Sequence, residues 1–393
     1  MSGPGPNEPF EGIPGFGDIA KMFASSGPVN WDIAKQMARY VSTEGVAESN
    51  VDPLQRVRFE ELLRVADLNI ADATGLPTSA SGKPLTVRTV GRGEWALTTL
   101  DAYRHVLEAL AAALGETPAA PADTTDESPP DPLGQLLGGF TKFAGPMLFG
   151  MQAGVMVGHL SHRALGQYDV PLPRPASDEL VVVAANVDAF AADWSLPADD
   201  VRLWVCLAEV ANHAVLSRPH VRARIDALVH DYVTGFQPDP SFLESRLAEI
   251  DPTDPAAIQE ALGDPEVLLG AMQTPGQAST LAQLDAVVSA VAGYVDHVVD
   301  TTGRRLIGSF APLGEALRRR RVQTGKGDRF VGRLLGLELG QAQFDRGARF
   351  VEGVVERAGP DGLLRLWHSE RELPTPAELD APGLWLERID LPT

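Results

Sequence analysis

"WVCLAEVANHAVLSRPH", Trp204 to His220, is the stretch on which the reading of this chain turns. A helix that holds a catalytic zinc ion carries H-E-x-x-H. Its two histidines, one turn apart, bind the metal, and the glutamate between them activates the attacking water. Here the five matching positions are Ala208, Glu209, Val210, Ala211 and Asn212. The glutamate stands in place and both histidines are missing.

On a helix at 100° per residue, Val205, Ala208, Glu209, Asn212 and Leu216 share one face, the face on which intact ligands would be presented. Asn212 is a neutral amide and a poor zinc ligand; Ala208 cannot ligate at all. The string alone carries little weight, because a glutamate on an alanine-rich helix is common. The rest of the chain has to decide.

At 393 residues the chain is long enough for two or three domains. Hydrophobic residues make up 44% and charged residues 22%, the balance of a globular protein. The formal net charge of −20 would repel a polyanion, which excludes a general nucleic-acid role. Against it stands the run Arg318 to Arg321. It follows the helical pair Leu313 and Leu317, so it reads as a solvated face favoured by the helix C-terminal dipole.

Cys206 is the single cysteine. No internal disulfide is possible, and a reducing, cytoplasmic setting is expected. Its neighbours Trp204, Val205 and Leu207 make it a core residue rather than a reactive thiol. The opening "MSGPGPNEPFEGIPGFGD" lacks a basic region followed by an apolar one, so a disordered leader over residues 1–28 is expected instead of a signal peptide.

The membrane candidate is "AGPMLFGMQAGVMVG", Ala144 to Gly158, too short for the ~20 residues that span a bilayer. Gly145, Gly150, Gly154 and Gly158 line one side of a helix, which in a soluble chain lets two buried helices approach closely.

Three parts follow along the chain. Residues 29–114 are helical in pattern: Asp52-Pro53 starts a helix that Gly75 ends. "LTVRTVGRGEWALTTL" is a short strand or extended loop ahead of a helix from about Asp101. The stretch 115–134 is rich in proline and acid and is expected to be a disordered linker. The remainder, 135–393, contains the strand "LVVVAA", the opening helix (201–216) and a second apolar helix (281–302). The fold class expected is mainly α with little sheet, an N-terminal helical domain preceding the larger one.

"LAEVANHAVL" with "RPHVRARI", "ALGQYDVPLP", "AVAGYVDHVVD" and the tail "RLWHSERELPTPAELDAPGLWLERI" together resemble the zincin-like metallopeptidase type 2 family. These chains are largely actinobacterial and grouped with hydrolases. The resemblance runs from about Trp31 to the C-terminus. It implies a zincin-like architecture whose opening helix reads L-H-E-x-x-H before a proline-containing turn. Leu207, Glu209 and Pro219 match; positions 208 and 212 do not. The family's "EGYxxHV" helix implies a third ligand before Gly-Tyr. Gly293, Tyr294, His297 and Val298 match, but Ala292 stands at the ligand position. The resemblance therefore implies a pseudoenzyme whose ligand positions are Ala208, Asn212 and Ala292, with Glu209 as a vestigial general base.

Two functions remain open. One is a catalytically silent protein that binds a peptide or protein partner through the former cleft, with Asn212, His213, Tyr294 and His297 as candidates and no cofactor. The other is a hydrolase whose zinc site has been rebuilt from Glu209, His213 and one of His220, His230 or the Asp296-His297 pair. A Glu209–His213 contact at i,i+4 needs no metal to explain it. His159 and His162, at the end of the glycine-rich helix, read as caps or exposed groups. No G-x-S-x-G elbow, P-loop or G-x-G-x-x-G occurs, and "TGKGD" (324–328) lacks the rest of a phosphate-binding pattern.

Overall fold

Local capping chemistry sets the first helices of the computed structural model, which describes residues 27–115, 132–238, 271–272, 275–322 and 340–391. Helix α1 (Trp31–Thr43) starts where the Asn30 side chain accepts the Ile33 N–H at 3.1 Å. Helix α2 (Pro53–Thr74) starts where Asp52 accepts the Leu54 N–H at 2.9 Å, and it stops at Gly75, whose φ of 62° favours glycine.

Strand β1 (Thr86–Val90) lies parallel to β2 (Glu179–Val183), with Thr86 opposite Glu179 and Val90 opposite Val183. The helix expected from about Asp101 begins earlier, as α3 (Arg92–Ala102), followed by α4 (Arg104–Gly115). The reason is distant in sequence. The Glu48 carboxylate accepts the N–H groups of Arg92 at 2.6 Å and Gly93 at 2.9 Å, capping a helix that has no local cap.

Helix α5 (Pro132–Ser161) carries the spaced glycines and packs along α1. A Cβ on Gly150 would lie 2.4 Å from the Asn30 carbonyl oxygen, and one on Gly154 would lie 2.3 Å from that of Ala34. Three of the four glycines thus serve close helix approach, as expected; Gly145 faces open space. Helices α6 (Ala184–Asp193), α7 (Ala198–Leu216) and α8 (Pro219–Thr234) follow β2. A short antiparallel pair, β3 (Gln237–Pro238) with β4 (Ala271–Met272), precedes α9 (Pro275–Leu306). Then come α10 (Phe310–Val322) and α11 (Gln341–Ala358), covered by α12 (Pro360–Leu364), α13 (Pro376–Asp380) and α14 (Pro382–Asp390).

Helix α7 is buried nearly all round, with Val201, Val205, Leu207, Val210 and Ala214 within 1% of full burial. Helix α9 is long and apolar enough to cross a membrane by length and composition. Its residues Leu284, Val288 and Val291 are instead core residues of this fold. Where α9 crosses α11, Gly293 and Gly347 bring the backbones together: a Cβ on Gly347 would sit 2.0 Å from the Ser289 carbonyl oxygen.

The mainly helical class with little sheet holds. The expected division between residues 29–114 and 135–393 does not separate two cores. One hydrophobic cluster runs from Ala34 to Ile389. α1 buries its face on α5, α2 on α7, and β1 pairs with β2, so the two sides of the linker complete each other. The proposed leader lies outside the described residues except for positions 27 and 28. The linker does so over 116–131, α4 reaching Gly115 and α5 beginning at Pro132.

Candidate functional site

α7 and α9 lie side by side. Between them, closed off by the turn after α5, the end of α10 and the start of α11, is a cavity of about 170 Å³. Ala208 and Asn212 from α7 and Ala292 from α9 all line it. The three positions that the resemblance marks as ligand positions therefore converge, as three ligands to one ion must. The Asn212 amide nitrogen donates to the Ala208 carbonyl at 2.9 Å, one turn back along its own helix.

Glu209 does not face this cavity. One residue beyond Ala208 the helix has turned by about 100°. Its carboxylate accepts the N–H groups of Gln167 at 3.0 Å and Tyr168 at 3.2 Å. These amides belong to the turn "LGQYD", where the Asp169 carboxylate also accepts the Leu165 and Gly166 N–H groups at 2.5 and 2.9 Å. Burial pushes the Glu209 carboxyl up to about 8, with the nearby Asp169 charge acting in the same direction; the two amide bonds and Arg174 oppose it. The expected general base is a buried acid that organises a backbone turn, because Gly166 leaves room for it there.

His213 sits one turn further along α7, buried, its Nδ1 sharing a 2.8 Å hydrogen bond with the Tyr168 hydroxyl. Burial holds its pKa below the ordinary histidine value. Glu209 and His213 do occupy one flank, but they meet over Tyr168, one at its amide and the other at its hydroxyl. Only Tyr168 reaches the cavity wall.

Tyr294 and His297 are not cavity residues either. Tyr294 is buried with its ring edge-on to Trp367 at 5.2 Å, and burial pushes its phenol pKa up. His297 is half-buried, and burial lowers its pKa. In this chain the Gly-Tyr pair therefore serves helix crossing and packing. The His162 Nε2 donates to the Val41 carbonyl at 2.8 Å, and His230 is exposed. Cys206 is fully buried, as expected, and burial pushes its thiol up.

What the residue pattern missed is the charged wall. Arg318 and Arg319 are exposed and pair with Glu315 at 3.1 and 2.7 Å, as a solvated face should. Arg320 and Arg321 turn inward and line the cavity. Arg320 bonds Asp169 at 2.8 Å; Arg321 bonds Asp296 at 2.5 Å and lies 3.8 Å from the centre of the Phe344 ring. A signal was present. Leu313 and Leu317 are buried, and positions 320 and 321 continue their face at three and four spacing.

A family model described as zincin-like metallopeptidase matches residues 29–386. A solved structure, "a putative hydrolase with a novel fold" from Chloroflexus aurantiacus, is similar at TM-score 0.64 and 23% identity, covering 93% of this chain and 100% of that one. It shows a shared fold. No curated protein matches significantly.

The zinc ion that such a fold implies does not fit the residues present. Ala208 and Ala292 offer no donor atom, Asn212 offers a neutral amide, and the cavity's aspartates are held by arginines. Among the described residues no group of three or more His, Cys, Asp or Glu is placed to hold a metal ion.

Proposed function

This chain belongs to the zincin-like metallopeptidases, and we propose that it acts without zinc hydrolysis, binding a peptide or protein partner through the cavity at the former active site. One observation carries this reading. Ala208, Asn212 and Ala292 converge on one cavity and bring to it no side chain suited to hold zinc. Without a metal to lower the pKa of bound water towards ~7, hydrolysis by the zinc mechanism has no nucleophile. Glu209 cannot supply one from its place, because both carboxylate oxygens are engaged by the 167–168 amides.

The cavity suits recognition better than turnover. About 170 Å³ is well below the ~300 Å³ at which whole-ligand pockets begin, so it takes one side chain or chain end rather than an extended segment. The net charge of −20 turns the partner away from nucleic acid. The lone, buried Cys206 fits a reducing, cytoplasmic setting.

The test is calorimetry of the full chain with and without zinc, beside a peptidase assay on mixed peptide substrates. We expect no zinc-dependent stabilisation and no cleavage. Stoichiometric zinc that raises the melting temperature, with metal-dependent cleavage, overturns the reading. Ala208→Trp, which fills the cavity, should abolish capture of a partner by the otherwise folded protein.

A further inference from the structure

The cavity is polarised in a way that neither its fold nor its lost ligands explain. Three arginines, Arg163, Arg320 and Arg321, face two aspartates, Asp169 and Asp296, so its wall is net positive in a strongly acidic chain. The arginines are built in. Arg163 donates to the Arg320 carbonyl at 3.1 Å and Arg320 to the Arg163 carbonyl at 2.5 Å, locking the end of α10 to the turn after α5. Arg321 is braced against the Phe344 ring.

We propose that this cavity recognises a carboxylate attached to a small apolar group, with Arg320 and Arg321 as the anion-binding side chains. The inference rests on the reading that this cavity is where the partner enters, and it names the chemistry of what enters. A guanidinium carries five N–H donors in a planar fork that matches a carboxylate. Among the described residues the side-chain bonds of Arg320 run through Nη2 alone, to Asp169 and the Arg163 carbonyl, which leaves donors on its other nitrogens for a ligand.

The rest of the wall is largely apolar, with Trp95, Trp204, Val288, Val295 and Leu165 in its lining. Inorganic phosphate would waste that wall; an aliphatic or aromatic acid uses both. A cavity of ~150 Å³ accommodates a molecule of benzene's size, so about 170 Å³ takes one amino-acid-sized group. Electrostatics agree: burial and the neighbouring Arg320 push the Arg163 pKa below its ordinary value, a repulsion that a bound anion relieves. Two sources share this chemistry, a free small acid and the C-terminal residue of a peptide.

Isothermal titration of the full chain separates them. The probes are N-acetyl-leucine, its amide, inorganic phosphate, and Ala-Ala-Ala-Leu with a free or an amidated C-terminus. We expect one or both free acids to bind at least tenfold tighter than their amides, with affinity falling as salt rises. Binding of both acids identifies a free acid as sufficient; binding of the peptide alone identifies a chain terminus. Arg320→Gln and Arg321→Gln should each weaken the acid at least tenfold and leave the amide unchanged, while the exposed Arg318→Gln changes nothing.

Should an arginine variant fail to fold, Ala292→Phe, which fills the cavity without removing a charge, must abolish acid binding. Equal binding of acid and amide overturns the carboxylate inference and leaves the peptide-binding reading standing. Phosphate binding tighter than either acid overturns it too. Binding of no probe, while a partner is still captured in an Ala208→Trp-sensitive way, also defeats the inference alone.

Discussion

Glu209 fills the space that the missing side chain of Gly166 leaves: a Cβ on Gly166 would stand 2.3 Å from the Glu209 Cδ. With φ of −147° Gly166 is extended, so its absent side chain matters rather than its backbone freedom. The Gly166→Ala change must displace the Glu209 carboxylate from the Gln167 and Tyr168 amides. Leaving those buried groups unpaired should cost about 1–3 kcal/mol of stability, read by urea unfolding. In a Glu209→Ala background the same glycine change should cost far less, since the clash is gone.

The pH dependence of stability follows from the same carboxyl. Its pKa is raised in the folded state to about 8 from an unfolded value of 4.5. Folding therefore favours the protonated form, and the native state binds more protons than the unfolded state across that interval. The Glu209 contribution is fully present below pH 4.5 and is lost as pH rises towards 8. Compared with Glu209→Gln, the wild type should lose stability over this window by on the order of 5 kcal/mol, seen as a declining melting temperature. Parallel melting curves for the two proteins between pH 5 and 8 would show that Glu209 is not the titrating group.

Tyr168 links this buried acid to the cavity. Its hydroxyl holds His213 Nδ1 at 2.8 Å, and His213 Nε2, also buried, has no hydrogen-bond partner among the described residues. Tyr168→Phe leaves the imidazole without that bond and should destabilise by about 1–3 kcal/mol. His213→Leu in the Tyr168→Phe background should restore part of the loss, because it removes the orphaned polar ring. A double-mutant cycle by chemical denaturation measures the coupling.

Two glycines that look alike in sequence should behave oppositely. A Cβ on Gly347 would lie 2.0 Å from the Ser289 carbonyl oxygen, a backbone atom fixed in α9. Gly347→Ala must push α9 and α11 apart and should cost upwards of about 3 kcal/mol. Gly145, within α5, meets nothing within 4 Å. Gly145→Ala should be neutral or stabilise by up to about 1 kcal/mol through helix propensity. Thermal melts of the two variants decide it.

Much of this fold was legible where the determining chemistry is local. Asp52-Pro53 and Gly75 bound α2, the β-branched run Val181 to Val183 lies in a strand, and three of the glycines of α5 mark a close helix pair. The convergence of Ala208, Asn212 and Ala292 was also legible, through the constraint that one ion imposes on three ligands. What escaped depends on distant partners. Glu48 caps α3 from 44 residues away, β1 finds β2 across the linker, and Glu209 turns towards a glycine 43 positions earlier. Arg320 and Arg321 differ from Arg318 and Arg319 for another reason: a helix sends the first and last pairs of such a run to opposite sides, so a run of like charge is not one solvated face.

The final prediction restores what the three empty positions lack. Ala208→His, Asn212→His and Ala292→Glu together place two imidazoles and a carboxylate around the cavity that the native residues already share. Zinc should then stabilise the folded protein by RT ln(1 + [Zn]/Kd), so the melting temperature climbs with zinc concentration. The gain should fall short of a native site for two reasons. New histidines need hydrogen-bond partners that fix their rings, which three substitutions do not supply, and the net positive wall of Arg163, Arg320 and Arg321 repels a dication. Adding Arg321→Gln to the triple variant should therefore tighten zinc binding, which calorimetric titration reads directly. If the triple variant shows no zinc-dependent shift while remaining folded, convergence on one cavity does not amount to ligand geometry at these three positions.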